Sequence, residues 1–334
     1  MNATTADVAD VTLAPKGSGK DNSFAYWWDR VGILLVLVLL AALMAALAPN
    51  FVSLGNALNV ARSVSINAIL AAGMTLVILT GGIDLSVGSI LAVSGVTGVL
   101  LWSNGIPTPI ALLGGVLVGA LAGAVNGVFV ARFALPAFIV TLGSMTYLRG
   151  LAYSLLGGQP LVATELGYRG VGNGSIAGIP QPVVIMIVVY AVLWFVLERT
   201  RFGRHVYAVG GNMEGARLAG INVRRVLMSV YMIGGAAAGV AGVIFSARVL
   251  SAQPTAGTGY ELDAIAAVVL GGTALAGGRG RILGTLIGAV IIGVLSNGLV
   301  LMNVPFFYQL VIKGIVIIIA IGLDSLKRLG QSGR

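Results

Sequence analysis

Apolar residues in this chain come in long uninterrupted runs, and the polar positions between them are few and clustered. A helix needs about 20 apolar residues to cross the hydrocarbon core of a bilayer. Val31 to Ala48 is 18 residues without a charge, with Trp27 and Trp28 before it as interfacial anchors. Ser63 to Ile83 supplies a second span. Leu85 to Ala131 is 47 residues without a charge, room for two more, broken at Ser103-Asn104-Gly105-Ile106-Pro107-Thr108-Pro109. Pro136 to Leu156 gives a fifth, with Arg149 near its outer end, and a Gly-rich loop from Gly157 to Pro180 follows. Val183 to Leu197, Val226 to Ala247 and a short Ile265 to Ala276 make the sixth, seventh and eighth. The 31 charge-free residues Ile282 to Ile312 hold the ninth, broken at Asn303-Val304-Pro305, and Phe306 to Leu323 the tenth, with Lys313 inside it. The pattern predicts an all-α polytopic membrane protein of about ten transmembrane helices.

Ala46-Leu47-Ala48 has the spacing of a signal-peptide cleavage site. The tail before it, however, carries Asp7, Asp10, Asp21 and Asp29, the run exceeds a usual signal core, and Pro49 follows at once. An uncleaved first span is therefore expected. Composition agrees with a membrane class: of 334 residues 20 are Lys or Arg and 11 Asp or Glu, 9% in all, against roughly 25% in soluble domains. So few charges cannot cover a soluble surface of this size. An ordinary soluble enzyme and a disordered chain are excluded. With no Cys, and His205 the one His, no disulfide, metal site or catalytic set is expected.

The net charge of +9 raises the question of nucleic acid, and its distribution answers it. With ten spans and both termini cytoplasmic, 15 of the 20 basic residues fall on the inner side, and only Arg62, Arg149, Arg169, Arg248 and Lys313 elsewhere. Such a bias fixes orientation in a bilayer and needs no nucleic acid. The expected organisation is a cytoplasmic tail over 1–30, a transmembrane domain over 31–326 with a cytoplasmic loop at 199–224, and a cytoplasmic tail over 327–334. Asn126-Gly127 followed by Pro136-Ala137-Phe138, and Asn297-Gly298 followed by Pro305-Phe306-Phe307, form a faint repeat on spans that cross in opposite directions. Inverted repeats of this kind are common in transporters.

Six of the basic residues lie between Arg199 and Arg225. Within that loop Asn212 suits an N-cap, Glu214 the first turn and Gly220 the end of a two-turn helix over Met213 to Gly220. The loop either docks on a cytoplasmic partner or only sets topology. Gly81-Gly82-Ile83-Asp84-Leu85-Ser86 sits where span two turns into span three. A carboxylate at membrane depth has a partner or a role, so Asp84 either caps span three through the amide of Ser86 or Val87, or gates a path together with Gly82 and Ser86. Glu261 and Asp263, before span eight, present the same choice between capping and lining an outer vestibule. Lys313 either snorkels or pairs with a buried acid. Gly115-Gly119-Gly123 and Gly284-Gly288 suit close helix packing. No P-loop is present, so any ATP that drives this chain binds on another subunit.

Three of these segments, in this order, resemble permease subunits of bacterial ABC sugar importers. They are Val77-Ile78-Leu79-Thr80-Gly81-Gly82-Ile83-Asp84-Leu85-Ser86-Val87-Gly88-Ser89; Gly203-Arg204 with Gly210-Gly211-Asn212 and Ala216-Arg217-Leu218-Ala219-Gly220-Ile221; and Ser251 to Ala267, whose wording is similar to the ribose branch. The resemblance covers Pro49 to Asp324. It implies a bacterial inner-membrane core of two copies, a cytoplasmic ATPase (often a tandem fused one) that binds ATP and Mg, and a periplasmic sugar-binding protein that carries most of the specificity. It also implies that Gly203, Arg204, Gly210, Gly211, Asn212, Glu214, Ala216, Arg217 and Gly220 form the coupling element on the ATPase. Where many relatives have Ala-Ala before the loop's Arg, this chain has Gly215-Ala216. The substrate implied is a monosaccharide, ribose first and another pentose or small polyol next. The rival class is a secondary transporter driven by an ion gradient, with Asp84, Glu261 and Asp263 the acids it would use. A non-transporting scaffold is the third.

Overall fold

The computed structural model describes residues 23–332. Of the expected tails, residues 1–22 and 333–334 lie outside the described residues. Contacts divide the chain into residues 1–32, described only from Ser23, and a compact unit over residues 33–334. The helices are α1 (Ser23–Leu47), α2 (Leu54–Leu79), α3 (Val87–Ser103), α4 (Thr108–Arg132), α5 (Ala137–Leu155), α6 (Arg169–Asn173), α7 (Gln181–Arg199), α8 (Arg201–Gly211), α9 (Met213–Leu218), α10 (Val223–Val249), α11 (Tyr260–Leu270), α12 (Ile282–Leu301) and α13 (Phe306–Ser332). Four two-residue strands accompany them: β1 (Leu161–Val162), β2 (Ser175–Ile176), β3 (Ile179–Pro180) and β4 (Ser251–Ala252). β1 pairs antiparallel with β4, Leu161 opposite Ala252, and β2 with β3 across a tight turn at Ala177-Gly178. Both turn residues have left-handed φ (51° and 80°), as a two-residue hairpin turn requires.

The all-α polytopic class stands. α2, α4, α7, α10 and α12 are long and apolar enough to cross a membrane, and Gly32–Leu47, α3 and Phe306–Val316 are shorter apolar helices. α5 has 19 residues yet falls outside both sets, because Arg149 and its Thr, Ser and Tyr residues lower its hydropathy. Counting runs between charges misplaced some boundaries. α2 begins at Leu54 rather than Ser63, capped by Ser53, whose hydroxyl accepts from the Asn56 amide at 3.3 Å. It carries Arg62 inside, and it ends at Leu79 because Gly81 takes φ 79°.

The eighth span is the larger correction. The helix runs from Tyr260 to Leu270, not over 265–276, and stops where Gly272 turns to φ 83°. Its 11 residues reach about 16 Å, roughly half of the hydrocarbon core. The chain completes this passage without a helix, through Gln253–Gly259 before α11 and Gly271–Arg281 after it.

Glycine decides how closely the helices approach. A Cβ at Gly119 would strike the Gly235 carbonyl and Gly239, and one at Gly123 the Tyr231 carbonyl, so α4 and α10 meet backbone to backbone. Gly284 and Gly288 let α12 meet Gly271 and Ala267 beside α11 in the same way. α2 is the central helix, 83% buried over its most apolar window against 28% for α4 and 22% for α7. On α4 the outward stripe is Ile110, Leu113, Leu117 and Leu121, a lipid-facing pattern. Asn126 lies within α4 and Pro136 just before α5, and Asn297 within α12 and Pro305 just before α13.

Replacing Gly123 by Leu should lower the stability of the detergent-solubilised protein by about 1–3 kcal/mol through overpacking of this seam. Gly143→Ala, where an added Cβ meets open space, should not lower it and gains up to about 1 kcal/mol of helix propensity. Thermal denaturation followed by size-exclusion chromatography checks both.

Candidate functional site

The segment expected to be a basic loop with one short helix contains two helices. Thr200 caps α8, its hydroxyl accepting from the Gly203 amide at 3.2 Å. Asn212 ends α8 and caps α9, accepting from the Gly215 amide at 2.8 Å. Three glycines hid α8, and two of them are there for contact. A Cβ at Gly203 would strike the Leu197 carbonyl, and one at Gly210 the Leu79 carbonyl and Gly278. Gly211 is open. The signal that locates α8 is Phe202, Val206 and Val209 at helical spacing, the latter two buried, against Arg201 and Arg204 outside.

On α9, Glu214 and Arg217 form an exposed ion pair at 2.7 Å, Ala216 is buried, and Gly220 (φ 82°) turns the chain towards α10. Leu218 is 81% exposed and Met213 48%, two apolar side chains projecting on the side where the sequence places the cytoplasm. Beside them a cavity of about 410 Å³ is lined by Phe202, His205, Ile221, Asn222 and Arg225 among others.

α8 grips the inner ends of both interrupted passages. The Gly278 amide donates to the Leu79 carbonyl at 2.9 Å, under Gly210. The Tyr207 hydroxyl donates to the Gly280 carbonyl at 3.1 Å. Burial, and then the Glu198 carboxylate, push the Tyr207 phenol up, with Arg281 opposing. It therefore stays a donor. So the turn after α2 and the segment after α11 are joined to each other and to α8.

Asp84 is fully buried beyond that turn. Its Oδ1 accepts from the Ser86 amide at 2.9 Å and the Ser86 hydroxyl at 2.6 Å. Asn126 of α4 donates to the Ser86 hydroxyl at 2.8 Å, and Ser144 of α5 donates to Asn126. The Thr141 hydroxyl donates to the Ile83 carbonyl at 3.1 Å. Backbone that leaves its helix at membrane depth is thus satisfied by protein side chains. Gly82 has no room for a Cβ beneath the Tyr231 hydroxyl. Among the described residues, Asp84 Oδ2 and the Tyr231 hydroxyl are buried without a partner. Ser144 and Tyr231 belong to none of the motifs the sequence offered.

Glu261 and Asp263 occupy the first turn of α11 and separate in role. Glu261 Oε1 accepts from the Gly259 amide at 3.2 Å. Asp263 pairs with Lys313 of α13 at 2.9 Å, with both side chains largely buried. Arg149 lies six residues before the outer end of α5. It donates from Nη1 to the carbonyls of Pro254 (2.7 Å) and Ala256 (2.6 Å), holding the unwound chain before α11. The structure therefore gathers the candidates into three places: α8–α9, the Asp84 network, and the start of α11.

The profile of a family described as "Branched-chain amino acid transport system / permease component" matches residues 56–321. The ribose import permease protein RbsC of Escherichia coli (strain K12) is 46% identical over 317 residues, covering 93% of this chain and 98% of that protein. RbsC of Bacillus subtilis (strain 168) is 48% identical over 301 residues, 90% of this chain and 94% of that protein. The D-allose transport system permease protein AlsC of Escherichia coli (strain K12) is 40% identical over 309 residues, 92% and 95%. No solved structure matches the chain.

Lys313→Met should destabilise the protein by about 3 kcal/mol by stranding the Asp263 carboxylate, and Lys313→Met with Asp263→Leu should recover most of that. Thermal midpoints of the two variants against the parent in one detergent check the ordering.

Proposed function

The chain belongs to the family of branched-chain amino acid transport system permease components, and from that premise we propose that it is the membrane-spanning subunit of an ATP-driven importer for a monosaccharide, ribose before other pentoses. Relatives named for ribose import and D-allose transport, aligned over nine-tenths of the chain, support the sugar class. A multi-pass protein of the bacterial inner membrane, it works as a pair of copies. A periplasmic binding protein delivers the sugar, and a cytoplasmic ATPase holds ATP and Mg.

The observation that carries the reading is the position of α8 and α9. Leu218, Met213 and the Glu214–Arg217 pair form a small apolar knob with a charged rim, suited to a groove on a partner. The same helical pair reaches Leu79 and Gly278, where two interrupted membrane passages end. Closure of the ATPase on ATP moves α8–α9, and the movement passes into both breaks through backbone contacts too tight to absorb it. Gly215 loosens α9 without altering its place.

An ion-driven carrier would need a chain of titratable groups through the spans. Asp263 is instead closed on Lys313, and Asp84 and Glu261 each accept from a backbone amide through one oxygen. Deleting Met213 to Leu218, or Arg217→Glu, should abolish ATP-driven uptake while membrane insertion stays intact. In vesicles holding all subunits, ribose uptake should require ATP and resist a protonophore. Protonophore-sensitive uptake, or uptake that survives the deletion, sinks the reading.

A further inference from the structure

The half of α2 that the charge bias places towards the periplasm turns an unusual face outward. Asn56, Asn59, Ser63 and Asn67 recur at three- and four-residue spacing, so they share one side of the helix, with Arg62 at its edge. Asn59 and Ser63 are exposed, and Asn56, Arg62 and Asn67 are half-buried. The outward stripe of α4 is Ile110, Leu113, Leu117 and Leu121, as contact with lipid requires. Beyond Asn67 the face of α2 continues as buried Leu70 and Met74, so its polar surface ends about half-way along the helix.

Depth makes this face costly. α2 has 26 residues, about 39 Å of helix against a hydrocarbon core of about 30 Å. Arg62, Ser63 and Asn67 stand about 12, 14 and 20 Å along the axis from Leu54. Even with the whole excess length outside the outer boundary, all three lie within the core. Their partners are few. Arg248 of α10 donates from Nη2 to Asn59 Oδ1 at 2.9 Å. Asn56 and Asn297 of α12 exchange two amide hydrogen bonds, each 2.9 Å. Among the described residues, Arg62 Nε and Asn67 Oδ1 are buried without a partner, and no ion pair joins Arg62 or Arg248 to a carboxylate. Lipid cannot cover guanidiniums held this way. A dry protein cover would have to bring a carboxylate for each of them. Water needs no such match.

We propose that this face of α2, with Arg248 of α10, lines the water-filled passage through which the imported sugar enters the membrane. The proposal rests on the monosaccharide reading above. Each Asn side chain offers a donor and an acceptor, as each sugar hydroxyl does, so a neutral polyol exchanges water for amides along the helix. The two guanidiniums turn back cations that would otherwise leak down the same passage.

The chain has no cysteine, so Ser63→Cys and Leu117→Cys each carry a single thiol, one on the polar face and one on the stripe of α4. A thiol reacts as its thiolate, which forms in water and not in hydrocarbon. Membranes holding the assembled transporter are treated from the periplasmic side with a membrane-impermeant, sulfonated thiosulfonate, and modification of this chain is followed by mass. Position 63 should react roughly tenfold faster than position 117, at rest or during ATP turnover. The attached sulfonate should lower D-ribose uptake by the Ser63→Cys transporter roughly tenfold from its own unmodified rate. Asn67→Cys gives the same reading where Ser63→Cys fails to insert. Modification as slow at 63 as at 117 in both conditions means a dry cover and overturns the passage. Modification at 63 that leaves uptake unaltered puts the water off the sugar's route and overturns it equally. A parent transporter that imports no monosaccharide defeats the functional reading itself, whereas import by the parent with position 63 unreactive defeats the passage alone.

Discussion

A chain that interrupts its helices inside a bilayer has to supply from its own residues the hydrogen bonds that water provides elsewhere. Three stretches of this protein are under that constraint: the turn after α2, the descent before α11 and the return after it. Each is answered by groups from other helices. Ser86, Asn126, Ser144 and Thr141 enclose the first, Arg149 holds the second, and Leu79 with Tyr207 holds the third. The side chains that hold these three stretches come from α4, α5 and α8, with Ser86 beside α3. These places are also the ones with room for function, because a helix that is complete has no free carbonyl or amide to offer.

The same constraint explains the glycines. Bilayer lipid gives apolar side chains no reason to prefer one another, so helices gain most by approaching until backbones touch. Gly119, Gly123 and Gly235 achieve this between α4 and α10, and Gly203 and Gly210 do so between α8 and its neighbours. A seam without side chains has little slack. Backbone contacts this close would pass motion of α8 to Leu79 and Gly278, as the proposed coupling role requires. The function reading and the packing thus rest on one feature.

Polar residues at the start of α11 differ in a way their sequence positions do not reveal. Glu261 and Asp263 are two residues apart in one turn, yet Asp263 is neutralised by Lys313 while Glu261 accepts from the Gly259 amide. A closed pair contributes structure.

The all-α class, the Asn212 cap, the place of Glu214 in the first turn of α9, the small-residue contacts and the family were legible from residue order alone. All depend on local preference, on the length of a bilayer crossing or on short motifs, which a linear reading contains. Boundaries at Arg62 and at span eight were less so, since charges are tolerated where a helix end meets partners that the sequence does not name. The identity of α8 was masked by Gly203, Gly210 and Gly211, residues that read as breakers until the neighbouring carbonyls at Leu197 and Leu79 are in place. Which acid pairs with Lys313, and where the Arg149 guanidinium points, only the tertiary structure decided. Those contacts join positions 50 and more than 100 residues apart, and a side chain's partner at that separation is set by how the helices pack, not by the residues beside it.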